Sequence, residues 1–232
     1  MKRLVFMLSV VLSSVLSLTM VKQADAIPVT TTVNFDSFDA LAGPVSGPAI
    51  YAYLAGFGIT VSGETPSTAE LKVFDDRWIY GGVSIVAPSL HNVLQLETPS
   101  IFNTYTLNFS APLDSLSFTR PGLIGTGPSG TVYPWWRAHA FNSSGIELGV
   151  VGENLSGYWT NVPALTFTFI GPDIASVRFD SDAYNFAAYR SMHLDDLTMT
   201  TSTVPEPSTI LLLGSGMAGF AGMGLMKRRK RG

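Results

Sequence analysis

Thr104-Tyr105-Thr106-Leu107-Asn108-Phe109, then Ser110-Ala111-Pro112, then Leu113-Asp114-Ser115-Leu116-Ser117-Phe118-Thr119: this stretch decides the fold. Tyr105, Leu107 and Phe109 alternate with threonine and asparagine. A period of two sends successive side chains to opposite faces of a strand, one face apolar and one polar. Ser110-Ala111-Pro112 reads as a turn, because proline removes a backbone donor, and Leu113–Thr119 reads as a second strand.

The same grammar repeats on both sides. Strands are expected at 30–38, 58–62, 70–74, 83–87, 93–97, 135–141, 146–151, 165–170, 174–179 and 193–200. Asn142-Ser143-Ser144-Gly145 and Gly171-Pro172-Asp173 punctuate them. Residues 49–55 are the best short helix, and no longer helical stripe is present. Ten to twelve short strands in under 180 residues predict an all-β fold, an antiparallel two-sheet sandwich of jelly-roll type spanning 27–200.

Both ends read as targeting segments. Lys2 and Arg3 precede the apolar run Leu4–Met20, and Ala24-Asp25-Ala26 supplies an A-x-A cleavage site. Residues 1–26 are therefore expected to be a cleaved signal peptide, with an uncleaved N-terminal anchor as the alternative. At the other end, a polar linker is expected at 201–204. Val204-Pro205-Glu206-Pro207-Ser208 then leads into an apolar run and into Lys227-Arg228-Arg229-Lys230-Arg231. Residues 209–226 form an expected transmembrane helix. At about 1.5 Å per residue it spans about 27 Å, close to a hydrocarbon core of about 30 Å. The basic cluster holds the C-terminus on the cytoplasmic side. Each proline fixes φ and lacks an N–H, so the motif stays extended and readable by a processing enzyme.

This tail resembles the PEP-CTERM sorting signal of Gram-negative bacteria. The resemblance implies export by the general secretion machinery and processing by an exosortase near Pro205-Glu206-Pro207. It also implies a role in biofilm or exopolysaccharide. The precursor would be held in the inner membrane by its C-terminal helix. The processed protein would reside at the cell surface, the outer membrane or the extracellular matrix.

Removing both ends changes the charge. The whole chain carries −3, but residues 27–204 hold six Lys and Arg against 15 Asp and Glu, a net charge of −9. Such a domain has no basic surface for phosphates, which excludes a nucleic-acid partner. The chain has no cysteine. Disulfides, a thiol nucleophile and Cys-ligated zinc are excluded with it.

Val33-Asn34-Phe35-Asp36-Ser37-Phe38, Gly58-Ile59-Thr60-Val61 and His193-Leu194-Asp195-Asp196-Leu197-Thr198 are similar in layout to galactose-binding-like and carbohydrate-binding jelly rolls. In those folds the first and last strands pair, and a structural calcium often sits beside them. Calcium takes several hard oxygen ligands. Asp36, Asp39, Asp195 and Asp196 fall on the two terminal segments and form the candidate calcium site, with solvated turn carboxylates as the alternative. Adjacent Asp195 and Asp196 point opposite ways in a regular strand, and Asp195 is the one expected to face inward.

Aromatic residues suggest a sugar site. Trp135, Arg137 and His139 share one face of their strand, with Trp136 on the other. Tyr158 and Trp159 lie near an expected turn. Aromatic rings stack on the apolar face of a sugar while polar neighbours bond its hydroxyls. The alternative is that these rings fill the core. No catalytic pattern emerges. His91, His139 and His193 match no metal motif, and Gly125–Gly130 fits G-x-G-x-x-G only as a loop. The expectation is a non-enzymatic protein that binds or organises extracellular polysaccharide. The alternatives are a surface glycan hydrolase and a structural matrix protein without a specific ligand.

Overall fold

The computed structural model describes residues 27–65, 69–77, 79–80, 83–97, 102–125, 131–132, 135–155, 158–159, 161–182 and 193–203. The signal peptide, Val204–Ser208, the apolar helix and the basic cluster lie outside the described residues. Among the described residues no helix is long and apolar enough to cross a membrane.

β1 (Ile27–Val33) is followed by helix α1 (Gly47–Ala55), which sits where the short helix is expected. Pro48 occupies its first turn, where the missing N–H costs nothing. Gly47, Ile50 and Leu54 form its buried face. Then come β2 (Ile59–Thr65), β3 (Glu70–Asp75), β4 (Ile79–Tyr80), β5 (Val83–Val86) and β6 (Asn92–Glu97). β7 runs Phe102–Arg120 and is followed by β8 (Gly122–Gly125), β9 (Thr131–Val132) and β10 (Trp135–Asn142). The series closes with β11 (Glu147–Asn154), β12 (Tyr158–Trp159), β13 (Asn161–Val162), β14 (Leu165–Asp182) and β15 (Asp195–Thr203).

Two expected turns are not strand ends. Ser110-Ala111-Pro112 lies inside β7, a strand of 19 residues, and Gly171-Pro172-Asp173 lies inside β14, a strand of 18. The two strands pair antiparallel along their length, but the register jumps at this point. Ser115 faces Ile170, Leu113 faces Ile174, and Asn108 faces Ser176. Unequal numbers of residues oppose one another on each side, which makes bulges, and prolines without N–H groups fit at such positions. Asp173 adopts φ 71, and its carboxylate accepts from the Ser143 hydroxyl at 2.7 Å.

These bulges are the corner of the sandwich. Tyr105 is the register partner of Phe179, and Phe118 lies 13 residues farther along β7. In a flat ribbon Phe118 and Phe179 would be about 43 Å apart at about 3.3 Å per residue. Their ring centroids are 5.2 Å apart. Trp136 and Phe167 meet at 4.8 Å in the same way. The β7/β14 ribbon therefore folds back on itself and contributes to both layers, as strands do when they switch sheets at a bend.

The first layer joins β2, residues 102–110 of β7, residues 174–182 of β14, β10 and β11. The second joins β1, β15, residues 113–120 of β7 and residues 165–170 of β14. Thr30 contacts Thr200 at 3.2 Å and Thr32 contacts Thr198 at 3.0 Å, so the terminal strands run antiparallel side by side, as expected. The antiparallel β3–β6 pair joins this layer through paired backbone bonds between Leu94 and Leu194. Tyr105, Leu107, Phe118, Trp136, Val177 and Phe179 close the core between the layers. Beyond Pro121 and Pro163 the ribbon continues as β8 and β13. There a second cluster packs Phe74, Ile85, Val93, Leu123 and Val162.

The all-β antiparallel sandwich read from the sequence is the architecture found. Several boundaries differ, among them these three. The first strand stops at Val33, because residues 34–38 turn around the buried Asn92, whose amide donates to Phe35 O at 2.9 Å and Phe38 O at 2.8 Å. The corner replaces two turns. β15 runs to Thr203, into the stretch expected as linker.

Candidate functional site

The outer face of the first layer gathers three of the sugar-site residues. β10 alternates, so Trp136, Ala138 and Ala140 are buried while Trp135, Arg137, His139 and Phe141 face outward. The Arg137 guanidinium lies 4.8 Å above the Trp135 ring, a cation–π contact. His139 Nδ1 is 2.8 Å from Glu147 on β11, and Nε2 is 3.4 Å from Asp180 on β14. The same Asp180 oxygen accepts from Arg178 Nε at 3.0 Å. The Arg178 guanidinium in turn covers Phe141 at 5.4 Å.

Register extends this strip across the sheet. Arg137, Asp180 and Thr104 form one row. His139, Arg178, Thr106 and Ser62 form the next, and Phe141, Ser176, Asn108 and Thr60 the third. Asn108 donates to Ser62 Oγ at 2.8 Å. At about 4.8 Å between strands, the five strands give a polar face about 19 Å wide. On β11, opposite Arg137, stands Gly152. A Cβ there would lie 2.4 Å from Trp136 O and 3.0 Å from Arg137 Cγ, so only glycine leaves Arg137 its place.

Phe141, Glu147 and Arg178 were not among the residues singled out from sequence. The alternation of Val177 and Phe179 turns Arg178 outward, but which strand it meets depends on register, which no local pattern reveals. Tyr158 and Trp159 form β12 and pair with Val132 and Thr131 on β9. Their side-chain positions lie outside the described residues.

Three of the four terminal carboxylates come together and the fourth does not. Asp195 is fully buried and Asp36 half-buried, and Ser89 bridges them: its Oγ is 2.8 Å from Asp195 Oδ2 and 3.2 Å from Asp36 Oδ1. A hydroxyl has one proton for these two oxygens, so both contacts are hydrogen bonds only when one carboxyl is protonated. Burial pushes the Asp195 carboxyl up to about 6, against the lowering pull of the Ser89 hydroxyl and the Asp196 and Ser89 amides. Asp196 does not simply point to the other face. The backbone there adopts φ 47, and the register breaks between Asp195 and Thr198. Burial and the charge of Asp36 raise its carboxyl as well. Asp39 stands apart, exposed, with its field reaching Arg77. Among the described residues no group of three or more His, Cys, Asp or Glu is arranged to hold a metal ion.

A third polar set is internal and ties the layers together. Arg120 Nε and Nη2 donate to Glu153 at 2.6 and 2.9 Å, and Trp136 Nε1 donates to the same carboxylate at 3.1 Å. Arg120 sits on the second layer and Glu153 on the first. Nearby, burial and then the Arg120 charge hold His193 down to about 4, so it is neutral at pH 7. Among the described residues, His193 Nε2, the Asn103 amide and the Thr104 and Tyr105 hydroxyls are buried without a hydrogen-bond partner.

Residues 203–230 match the PEP-CTERM protein-sorting motif. The chain thus carries the signal of an exported protein processed by an exosortase. No curated protein matches it. Among solved structures, the chain is similar to the K2 cleaved adhesin domain of Lys-gingipain, at 12% identity over 75% of this chain and 100% of that one, with a TM-score of 0.45. The tandem family 22 carbohydrate-binding modules of Paenibacillus barcinonensis Xyn10C align at 10% identity over 79% and 47%, with a TM-score of 0.36. The family 32 module of C. perfringens NanJ, in complex with galactose, aligns at 14% identity over 76% and 98%, with a TM-score of 0.28.

Proposed function

We propose that this protein, once exported and processed at its C-terminus, binds extracellular polysaccharide at the outer face of its first layer and helps organise the surrounding matrix. The observation that carries the reading is the strip itself. Trp135, Arg137, His139, Phe141, Arg178 and Asp180 bring rings and hydrogen-bonding groups together on the outward face of a paired sheet. Sugar chains are extended and rich in hydroxyls, and a face that repeats polar groups at strand spacing suits them better than a deep pocket would. Asp180 and Glu147 are already held by Arg178 and His139, so neither is placed as a free general acid or base. This favours binding over hydrolysis.

Affinity electrophoresis of the full-length protein in detergent, run through gels containing different polysaccharides, tests the reading. At least one polysaccharide is expected to retard the wild type. Trp135→Ala with Phe141→Ala is expected to weaken that retardation at least tenfold while leaving the melting temperature within a few degrees. Equal retardation of the two proteins would remove this face as the binding site.

A further inference from the structure

We infer that the sugars selected by this face are acidic, and that Arg137 reads their carboxylate. The inference rests on the reading of the face as a polysaccharide site and adds the ligand class. Its starting point is the distribution of charge. Residues 27–204 hold six basic residues among 15 acidic ones, so each cation has carboxylates to spare. Arg77 pairs with Asp75, Arg120 with Glu153 and Arg178 with Asp180. Arg137 does not follow this pattern. It is exposed, and among the described residues its guanidinium meets no carboxylate. Its neighbour across β14, Asp180, is turned to Arg178 and His139 instead.

The guanidinium is nevertheless given a resting place on the face. It lies over Trp135, and Gly152 clears the space beside its stem. Stacking on an indole leaves the N–H groups directed sideways, in the plane where a carboxylate accepts two parallel bonds. A cation in a domain of net charge −9 cannot act by long-range attraction, because the overall field repels a polyanion. It can act only by direct contact. A uronic acid offers both parts of the match: a carboxylate for the fork, and ring hydroxyls for Thr106 and Asp180 in the adjoining rows.

Titration of the full-length protein with polygalacturonate and with a neutral galactan of similar length tests this. Wild type is expected to bind polygalacturonate at least tenfold tighter. Reducing the polymer's carboxyl groups to alcohols should abolish the difference. Arg137→Gln should lose the preference while keeping its melting temperature, and Arg137→Lys should recover only part of it, because an ammonium lacks the fork. Equal affinity for both polymers would overturn the assignment and leave the polysaccharide reading standing. So would a preference that survives Arg137→Gln. No binding to either polymer, with none to other polysaccharides, would overturn both.

Discussion

Replacing Glu153 by glutamine should unfasten the two layers at their most buried charged contact. Arg120 is 3% exposed and Glu153 16%, and the carboxylate takes two bonds from Arg120 and one from Trp136. After the substitution the guanidinium stays buried with a neutral amide and Pro121 O, the latter at 2.7 Å. Removing one partner of a buried ion pair costs about 3–5 kcal/mol, mostly because the remaining charge is uncompensated. Glutamine retains one acceptor oxygen, which puts the expected loss near the lower end, about 3 kcal/mol. Against a typical total of about 5–15 kcal/mol this is a large fraction. With a urea m-value of about 2 kcal/mol/M, the midpoint should fall by about 1.5 M. Equilibrium unfolding followed by tryptophan fluorescence reads it directly, since Trp136 is part of the contact. The double variant Arg120→Met with Glu153→Leu should recover much of the loss, because hydrophobic replacement removes both charges. A loss under about 0.5 kcal/mol, or a double variant no more stable than the single, would refute the claim that this pair pins the layers.

Three further outcomes are expected. Asn92→Ala strips both carbonyl partners from the 34–38 turn and should cost about 2 kcal/mol in the same assay, the range for buried groups left unsatisfied. His193 and Asp195 should give opposite pH dependences. The His193 pKa is lowered to about 4, so its contribution is present above the unfolded value near 6.5 and is lost as pH falls toward 4. The Asp195 pKa is raised to about 6, so its contribution is present below the unfolded value near 3.8 and is lost as pH rises through 6. Asp195→Asn should therefore leave stability that rises with pH between 4 and 6, and His193→Phe stability that falls across that window. Replacing Pro205-Glu206-Pro207 by alanines should leave the hydrophobic tail attached, visible as a larger, membrane-retained product on immunoblots.

What the sequence made legible follows from what is local. Period-two patterning around Tyr105 and Phe179 placed the right side chains inside, and neighbouring Trp135 and Trp136 had to face opposite ways; the same patterning put Leu165 with Phe169, but Leu165 is exposed. The corner was not legible, because Ser110-Ala111-Pro112 and Gly171-Pro172-Asp173 use the same residues whether a strand ends or bends. Only the partner strand distinguishes the two cases. The face shared by Trp135, Arg137 and His139 was readable from one strand, whereas Arg178, Asp180 and Glu147 reach it through register. The Arg120–Glu153 pair spans 33 residues and two layers, so nothing in either neighbourhood announces it. Asp195 is the fully buried member of its pair. The bridge through Ser89 was invisible, because a serine 106 residues away carries no signal of its own.

Chemical-shift mapping of the ¹⁵N-labelled protein against a polysaccharide that it binds tests the central claim most directly. The amides of Trp135, Arg137, His139, Phe141, Arg178 and Asp180 should move together and saturate at one affinity, while those of the buried faces of β7 and β15 stay in place. Shifts gathered at the terminal strands or in the loops, with the β10–β14 face unmoved, would contradict it.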